Sequence, residues 1–227
     1  MQVFLPGNDM RTKTTYAPDV LHAETLAFIR ANRKKPFFLF VASPIPHAEL
    51  QAPDDEILAL FKGRFPERPF TGTIPGPWPG EADYGPRAAP GGYASQAMPR
   101  ATFAAMVTRL DRQVGEILRL LDELELADNT LVMFTSDNGP HREGGADPDF
   151  FSSGGPLRGY KRDLTEGGIR VPTLMRWPTK IPAGTTCDEL ACTVDILPTV
   201  AALIGAELPK HKIDGHNIMP LMVGTVG

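Results

Sequence analysis

Two neighbouring stretches decide the fold of this chain, TSDNGPH at residues 135–141 and GPLRGYKRDLTEGG at residues 155–168. The first follows a β-branched and apolar run at 130–134, which predicts a buried strand. Asp137 and Asn138 therefore lie where a strand opens into a loop. Open α/β sheets hold their ligands at that edge, so the sequence indicates a binding site there.

The side chains of these stretches suit a metal and an anion. Asp137 and Asn138 offer hard oxygen ligands, which Ca²⁺ and Mg²⁺ prefer. Lys161 lies on the glycine-rich second stretch, where its ammonium could bind an anionic group at the same place. An Asp-Asn-Gly sequence is also ordinary turn chemistry, so neither stretch is sufficient alone.

Together the two stretches resemble the sulfatases of the alkaline-phosphatase superfamily. In that family a strand ends in a Ser-Asp-Asn-Gly turn that carries two metal ligands, and a lysine that contacts the sulfate follows. The lysine pattern Gly-x-Lys-x-x-x-x-Glu-Gly-Gly is matched here by Gly159, Lys161, Glu166, Gly167 and Gly168. The resemblance runs from about Tyr16 to about Leu221, with a gap near 65–99. It implies an α/β, alkaline-phosphatase-like layered domain with a largely parallel central sheet flanked by helices, incomplete in this chain.

The composition is that of a globular enzyme and excludes several other classes. Hydrophobic residues make up 42% and charged residues 22% of 227 residues, which excludes a disordered chain. The 22 glycines and 23 prolines predict long loops. A net charge of −4 gives no electrostatic footprint for nucleic acid. Cys187 and Cys192 make neither a disulfide framework nor a zinc site, and no apolar run approaches membrane-spanning length.

Helices and strands alternate along the chain, which favours an α/β layered domain. The periodicity predicts a helix capped by Asp19, a strand at 37–42 buried on both faces, and a short helix at 54–61. The later sequence predicts a long amphipathic helix at 101–124, a strand at 171–177, and a helix at 195–204 that ends at Gly205.

His47 is the next candidate for the site. It follows the predicted strand at 37–42, and Pro44 and Pro46 stiffen the turn that holds it. A histidine in a loop is more often exposed or bonded to backbone. The resemblance favours a role, since the family has a Pro-His pair at this point whose histidine contacts the sulfate. This chain departs from the frequent Pro-His-x-Pro continuation and has Ala48-Glu49-Leu50 instead.

The resemblance implies the chemistry of the site. A divalent cation, Ca²⁺ rather than Mg²⁺, would be bound by Asp137 and Asn138. Lys161 and His47 would contact the sulfate, and one of them would protonate the leaving oxygen. His141 is a further substrate-binding candidate. The substrate would be a sulfated small molecule or a sulfated carbohydrate, and the protein would be periplasmic, extracellular or lysosomal.

The family's nucleophile is absent from the sequence. It is a formylglycine made in a Cys-x-Pro-Ser-Arg signature, which does not occur here. We therefore expect residues 1–227 to be the central and later part of a sulfatase catalytic domain, with the formylglycine upstream and with 206–227 leading to a missing C-terminal subdomain. The chain by itself should turn over no sulfate ester. Two alternatives remain open: a phosphoesterase or phosphonate hydrolase of the same superfamily, or a catalytically incompetent binding remnant.

A long segment rich in proline and glycine lies at 63–99. Structureless loops of this length are unusual in compact domains and usually belong to function or disorder. Its aromatic residues include Trp78, Tyr84 and Tyr93, and our hypothesis is that the segment borders the substrate entrance. Surface packing of loop aromatics is the alternative.

Overall fold

The computed structural model describes residues 8, 14–71 and 93–224. These residues form two compact units. The first comprises residues up to Leu124 together with Ser136–Val171, and the second comprises Glu125–Thr135 and the chain from Pro172 onward. Trp78 and Tyr84, which belong to the hypothesis of a substrate entrance, lie outside the described residues.

The first unit is built on helices. They are α1 (Ala17–Asn32), α2 (Glu56–Ala59), α3 (Pro99–Glu123) and the single turn α4 (Glu166–Ile169). Helix α3 packs against α1 and α2. Its inner side is buried near both ends of the helix and partly buried in the middle. The main apolar residues of this core are Ile29, Ile57, Leu58, Ala101, Ala105 and Met106. The three helices that the periodicity predicts at 19–32, 54–61 and 101–124 are confirmed.

Arg109 of α3 joins the three helices electrostatically. Its guanidinium donates to both carboxylate oxygens of Asp19 at 2.9 Å and also binds Asp55. Asp55 caps α2 by accepting from the backbone N–H groups of Ile57 and Leu58. The prediction that Asp19 caps α1 is wrong, because Tyr16 occupies that position and Asp19 binds Arg109 instead.

The predicted buried strand at 37–42 is also wrong. No described strand pairs with this segment, and Phe38 and Phe40 are 74% and 78% exposed. The residues are apolar enough for a buried strand, but a strand also needs a hydrogen-bonded neighbour, which local sequence does not reveal. The segment still leads directly to His47, as expected.

The second unit holds the described sheet. Strands β1 (Val132–Thr135) and β2 (Thr173–Arg176) pair antiparallel, with Val132 opposite Arg176 and Thr135 opposite Thr173. The sequence predicts both strands, but the strand before Asp137 is only partly buried instead of buried as expected. The largely parallel part of the sheet that the resemblance implies is not formed by the strands of the described ranges.

A helix and a buried aspartate organise the rest of the second unit. Helix α5 (Ile196–Ile204) ends at Gly205, whose φ of 68° is the left-handed conformation that favours glycine. Asp195 accepts from the backbone N–H groups of His216 and Cys192 at 2.7 Å each. It thereby ties the start of α5 to the segment that leads into α6 (Met219–Met222). None of the helices in the described ranges is long and apolar enough to cross a membrane.

Candidate active site

The two sequence stretches meet through their backbones within the first unit. The Gly139 N–H donates to the Gly168 carbonyl at 2.9 Å, and the Lys161 N–H donates to the Pro140 carbonyl at 2.8 Å. A Cβ at Gly139 would overlap the carbonyl group of Gly167. Gly139 is therefore needed because two stretches of backbone touch here, whereas Gly167 and Gly168 are needed because the lysine stretch folds closely on itself.

Lys161 is presented by a tight turn. The Asp163 N–H donates to the Tyr160 carbonyl at 2.9 Å, and the Asp163 carboxylate accepts from the Tyr160 N–H at 2.9 Å. Lys161 and Arg162 are the two central residues, and Arg162 has a φ of +82°. A positive φ at the third residue of such a turn is typical of type II turns and favours glycine, so an arginine there is strained.

His47 and Lys161 are in contact, as the sequence predicts. The His47 Nδ1 lies 2.5 Å from the Ala48 carbonyl oxygen, which can only accept, so Nδ1 carries a proton. The unprotonated Nε2 of the neutral ring therefore faces the Lys161 ammonium, at 2.7 Å from Nζ. The pair shares one hydrogen bond between two nitrogen atoms, and both side chains have access to solvent.

His141 lies behind this pair. It is 8% exposed, and its ring stacks on that of His47 with centroids 5.4 Å apart. Its Nε2 donates to the Pro46 carbonyl at 3.2 Å, and its Nδ1 accepts from the Glu143 N–H at 3.2 Å. Burial, together with the nearby charge of Lys161, lowers the pKa of His141 despite its bond to the Pro46 carbonyl. The ring is neutral and supports His47 from behind.

The predicted metal ligands are linked to this cluster by a backbone hydrogen bond of the same loop. Asp137 is exposed, and Asn138 uses its amide N–H to bind the Gly139 carbonyl at 2.9 Å, which leaves its side-chain oxygen available. Pro140, whose carbonyl binds the Lys161 N–H, follows two residues later. Two hard oxygen donors fit Ca²⁺ in kind but are fewer than its usual six to eight. Residues 14–71 and 93–224 contain no group of three or more His, Cys, Asp or Glu side chains able to hold a metal.

Glu143 is a residue of this cluster that sequence reasoning misses. Its side chain is 12% exposed, accepts from the Tyr93 hydroxyl at 2.9 Å, and forms an ion pair with Arg162. Its Oε2 lies 4.0 Å from His47 Nε2. Burial opposes the charge on Glu143, but the Tyr93 hydrogen bond and the charges of Arg162 and Lys161 outweigh it and lower the pKa of the carboxyl. The available sequence signal for Glu143 is its position two residues after His141, and this signal is weak.

Comparison with known proteins identifies the family. The sulfatase family model matches residues 3–206. The chain belongs to the sulfatase family. Human steryl-sulfatase is 49% identical over 125 residues, which are 54% of this chain and 21% of that protein. Human arylsulfatase A is 42% identical over 130 residues, which are 56% of this chain and 24% of that protein.

The solved structures agree on the fold. The crystal structure of Ps i-CgsB in complex with k-i-k-neocarrahexaose has a TM-score of 0.68 and 32% identity, and the match covers 92% of this chain and 39% of that chain. The α/β, alkaline-phosphatase-like fold expected from the resemblance is therefore confirmed. The matched part of this sulfatase chain spans about a quarter of the length of its curated relatives.

Proposed function

We propose that the protein containing this chain hydrolyses sulfate esters. The observation that carries the proposal is the hydrogen bond of 2.7 Å between Lys161 and His47. Lys161 lies on one of the two sulfatase motifs that touch through their backbones, and His47 lies in the separate turn that Pro44 and Pro46 precede and stiffen. Alone, either motif is ordinary turn chemistry. Together they present a solvent-accessible cation, Lys161, which contacts the imidazole of His47.

Lys161 has the charge for binding the sulfate group. A sulfate ester is a delocalised anion, and the negative charge on its bridging oxygen increases as the bond between sulfur and the leaving oxygen breaks. An ammonium fixed by a closed turn stabilises that charge with little reorganisation, which is the usual origin of large electrostatic rate effects. We assign this role to Lys161, with His47 as a second contact to the sulfate oxygens.

The same pair can protonate the leaving alcohol. Lys161 donates a proton toward His47 Nε2, while the Ala48 carbonyl holds the other imidazole proton on Nδ1. A proton passed to the leaving oxygen from either nitrogen leaves the pair neutral, and one proton from solvent restores it. A general acid in this position contributes about 10²- to 10⁴-fold to a rate. His141 contributes by keeping the His47 ring in place.

Asp137 and Asn138 would hold the divalent cation that the family implies. A bound Ca²⁺ would neutralise part of the sulfate charge. The remaining ligands and the nucleophile are not assigned to residues of this chain, and the formylglycine signature is absent from its sequence.

A sulfated carbohydrate is the substrate class that we favour over a small sulfated molecule. The support is the neighbouring structure that was solved with a neocarrahexaose. We further propose that the protein acts in a periplasmic, extracellular or lysosomal compartment, as the resemblance implies. Both the substrate class and the compartment are proposals about the whole protein.

The test is an assay of the full-length protein on an aryl sulfate and the matching aryl phosphate, with Ca²⁺ present. Lys161→Ala should lower kcat by roughly 10²- to 10³-fold, the loss seen when a preorganised donor is removed. Lys34→Ala is the control, because Lys34 is an exposed lysine of the same unit. Faster hydrolysis of the phosphate than of the sulfate would instead establish the phosphoesterase alternative.

A further inference from the structure

Glu143 is the carboxylate around which the basic residues of the site are arranged. It binds Arg162 directly, lies 4.0 Å from His47 Nε2, and accepts from the Tyr93 hydroxyl at 2.9 Å. The proposed hydrolysis of sulfate esters gives it no role, since it is neither a metal ligand nor a substrate contact there. Any role of Glu143 in the site rests on that proposed function, and it assigns one more residue to the same reaction.

The strained residue of the lysine turn is the one that Glu143 holds. Arg162 has a φ of +82° although it is not glycine, and such a conformation persists only where the surroundings determine it. The Arg162 side chain is 69% exposed, so packing does not fix it. Its ion pair with Glu143 acts together with the hydrogen bonds between Tyr160 and Asp163, which close the turn, to favour this conformation over a relaxed one.

Glu143 is itself fixed from its other side. The Ala146 N–H donates to the Glu143 carbonyl at 3.0 Å, which closes the next turn. A Cβ at Gly144 would lie 3.0 Å from the Cβ of Ala48 and 3.4 Å from the Tyr93 ring, so this turn packs closely on the segment after His47. The turn that carries the Glu143 carboxylate is thus held against the segment that follows His47.

We propose that Glu143 is a positioning residue, which binds Arg162 and so fixes the strained turn that presents Lys161 to His47. Arg162 then has two separate effects. Its side chain matters as the partner of Glu143, and its backbone conformation matters for Lys161. Glycine at position 162 adopts a positive φ without strain, so it should need no such partner.

The experiment is a double-mutant cycle in the full-length protein, assayed on an aryl sulfate after the wild type has shown turnover. Glu143→Gln keeps the size of the side chain but removes its negative charge. It should lower kcat by about tenfold with little change in KM, because the ion pair with Arg162 is lost and substrate binding is not touched directly. Arg162→Gly should retain more activity than Arg162→Ala. In the Arg162→Gly background the effect of Glu143→Gln should largely disappear.

Two further measurements keep the outcome decisive. Glu24→Gln, an exposed glutamate on α1, is the matched control and should keep full activity. A crystal structure of the Glu143→Gln protein should show Lys161 Nζ and His47 Nε2 beyond hydrogen-bond distance. If that variant does not fold, Tyr93→Phe removes one contact to the carboxylate and should lower kcat in the same way, by less.

Three results would overturn the proposal. They are wild-type activity in Glu143→Gln, an undiminished effect of Glu143→Gln in the Arg162→Gly background, and an intact Lys161–His47 hydrogen bond in a variant that has lost activity. An inactive wild-type protein would instead refute the proposed function, so the two failures are distinguishable.

Discussion

The lysine stretch at 155–168 and the apolar segment at 37–42 both lack long regular structure, yet only the first is held firmly. Backbone bonds join the lysine stretch to Gly139 and Pro140, about twenty to thirty residues away along the chain. Within the described part of the chain, residues 37–42 show a single local backbone bond, from the Ser43 N–H to the Val41 carbonyl at 3.1 Å, and expose Phe38 and Phe40. The difference indicates that a motif folds predictably when its partners are close in sequence.

The largest loss of stability is expected where the loop after His141 is anchored to helix α3. Arg100 at the start of α3 is 5% exposed and binds Asp147 at 2.6 Å. Asp147→Ala removes the carboxylate partner of this buried guanidinium and leaves it the hydrogen bond to the Pro66 carbonyl, so the free energy of unfolding should fall by about 3–5 kcal/mol. Urea denaturation measures it. Asp149→Ala is the control, because its pair with Arg142 is exposed on both sides and should cost at most about 1 kcal/mol.

A smaller but still clear effect is expected at the backbone contact between the two motifs. Gly139→Ala places a methyl group against Gly167, and should destabilise the protein by about 1–3 kcal/mol. It should also lower kcat, since the Lys161 turn is displaced. Gly115→Ala in α3 is the matched control, because a Cβ there meets nothing within 4 Å. This change should stabilise the helix by up to about 1 kcal/mol. Equal behaviour of the two variants would remove the steric explanation of the motif.

The second unit should respond to acid through Asp195. Backbone hydrogen bonds from His216 and Cys192 lower the pKa of its carboxyl below the usual value of 3.8. A lowered folded-state pKa contributes stability that is present above pH 3.8 and is lost as the pH falls through the folded-state value. Asp195→Asn should therefore be less stable at neutral pH and show a shallower loss of stability on acidification. Chemical denaturation at a series of pH values measures both slopes.

The smallest effect is expected in the exposed segment. Phe38→Ser in the 227-residue chain should change the free energy of unfolding by less than about 0.5 kcal/mol, because the ring is already 74% exposed. Ile29→Ala is the contrasting variant. Ile29 is 1% exposed and its truncation should cost about 2–5 kcal/mol. A large effect of Phe38→Ser would mean that the segment at 37–42 packs against a partner and is held as firmly as the lysine stretch.

The sequence predicts those elements whose signals are local. The amphipathic pattern of α3 and the glycine that ends α5 are local signals, and both helices were predicted correctly. The two sulfatase motifs were recognised from their residues, and their partners lie about twenty to thirty residues apart. The contact of His47 with Lys161 followed from the resemblance, since 114 residues separate them. Glu143 was not predicted, because its proposed role depends on contacts with Arg162 and Tyr93. The sequence around Glu143 does not reveal these contacts. The roles of Asp137 and Asn138 as metal ligands remain predictions.

The ion pairs of Arg109 have a consequence for the synthesis of the protein on the ribosome. Arg109 binds Asp19 and Asp55, which are made 90 and 54 residues earlier. At a synthesis rate of about 5–20 residues per second, Asp19 precedes its arginine by roughly 5 to 20 seconds. Throughout that interval the inner side of α1, which includes Ile29, has no α3 to cover it. We therefore expect the nascent chain to expose this apolar side until α3 has been synthesised.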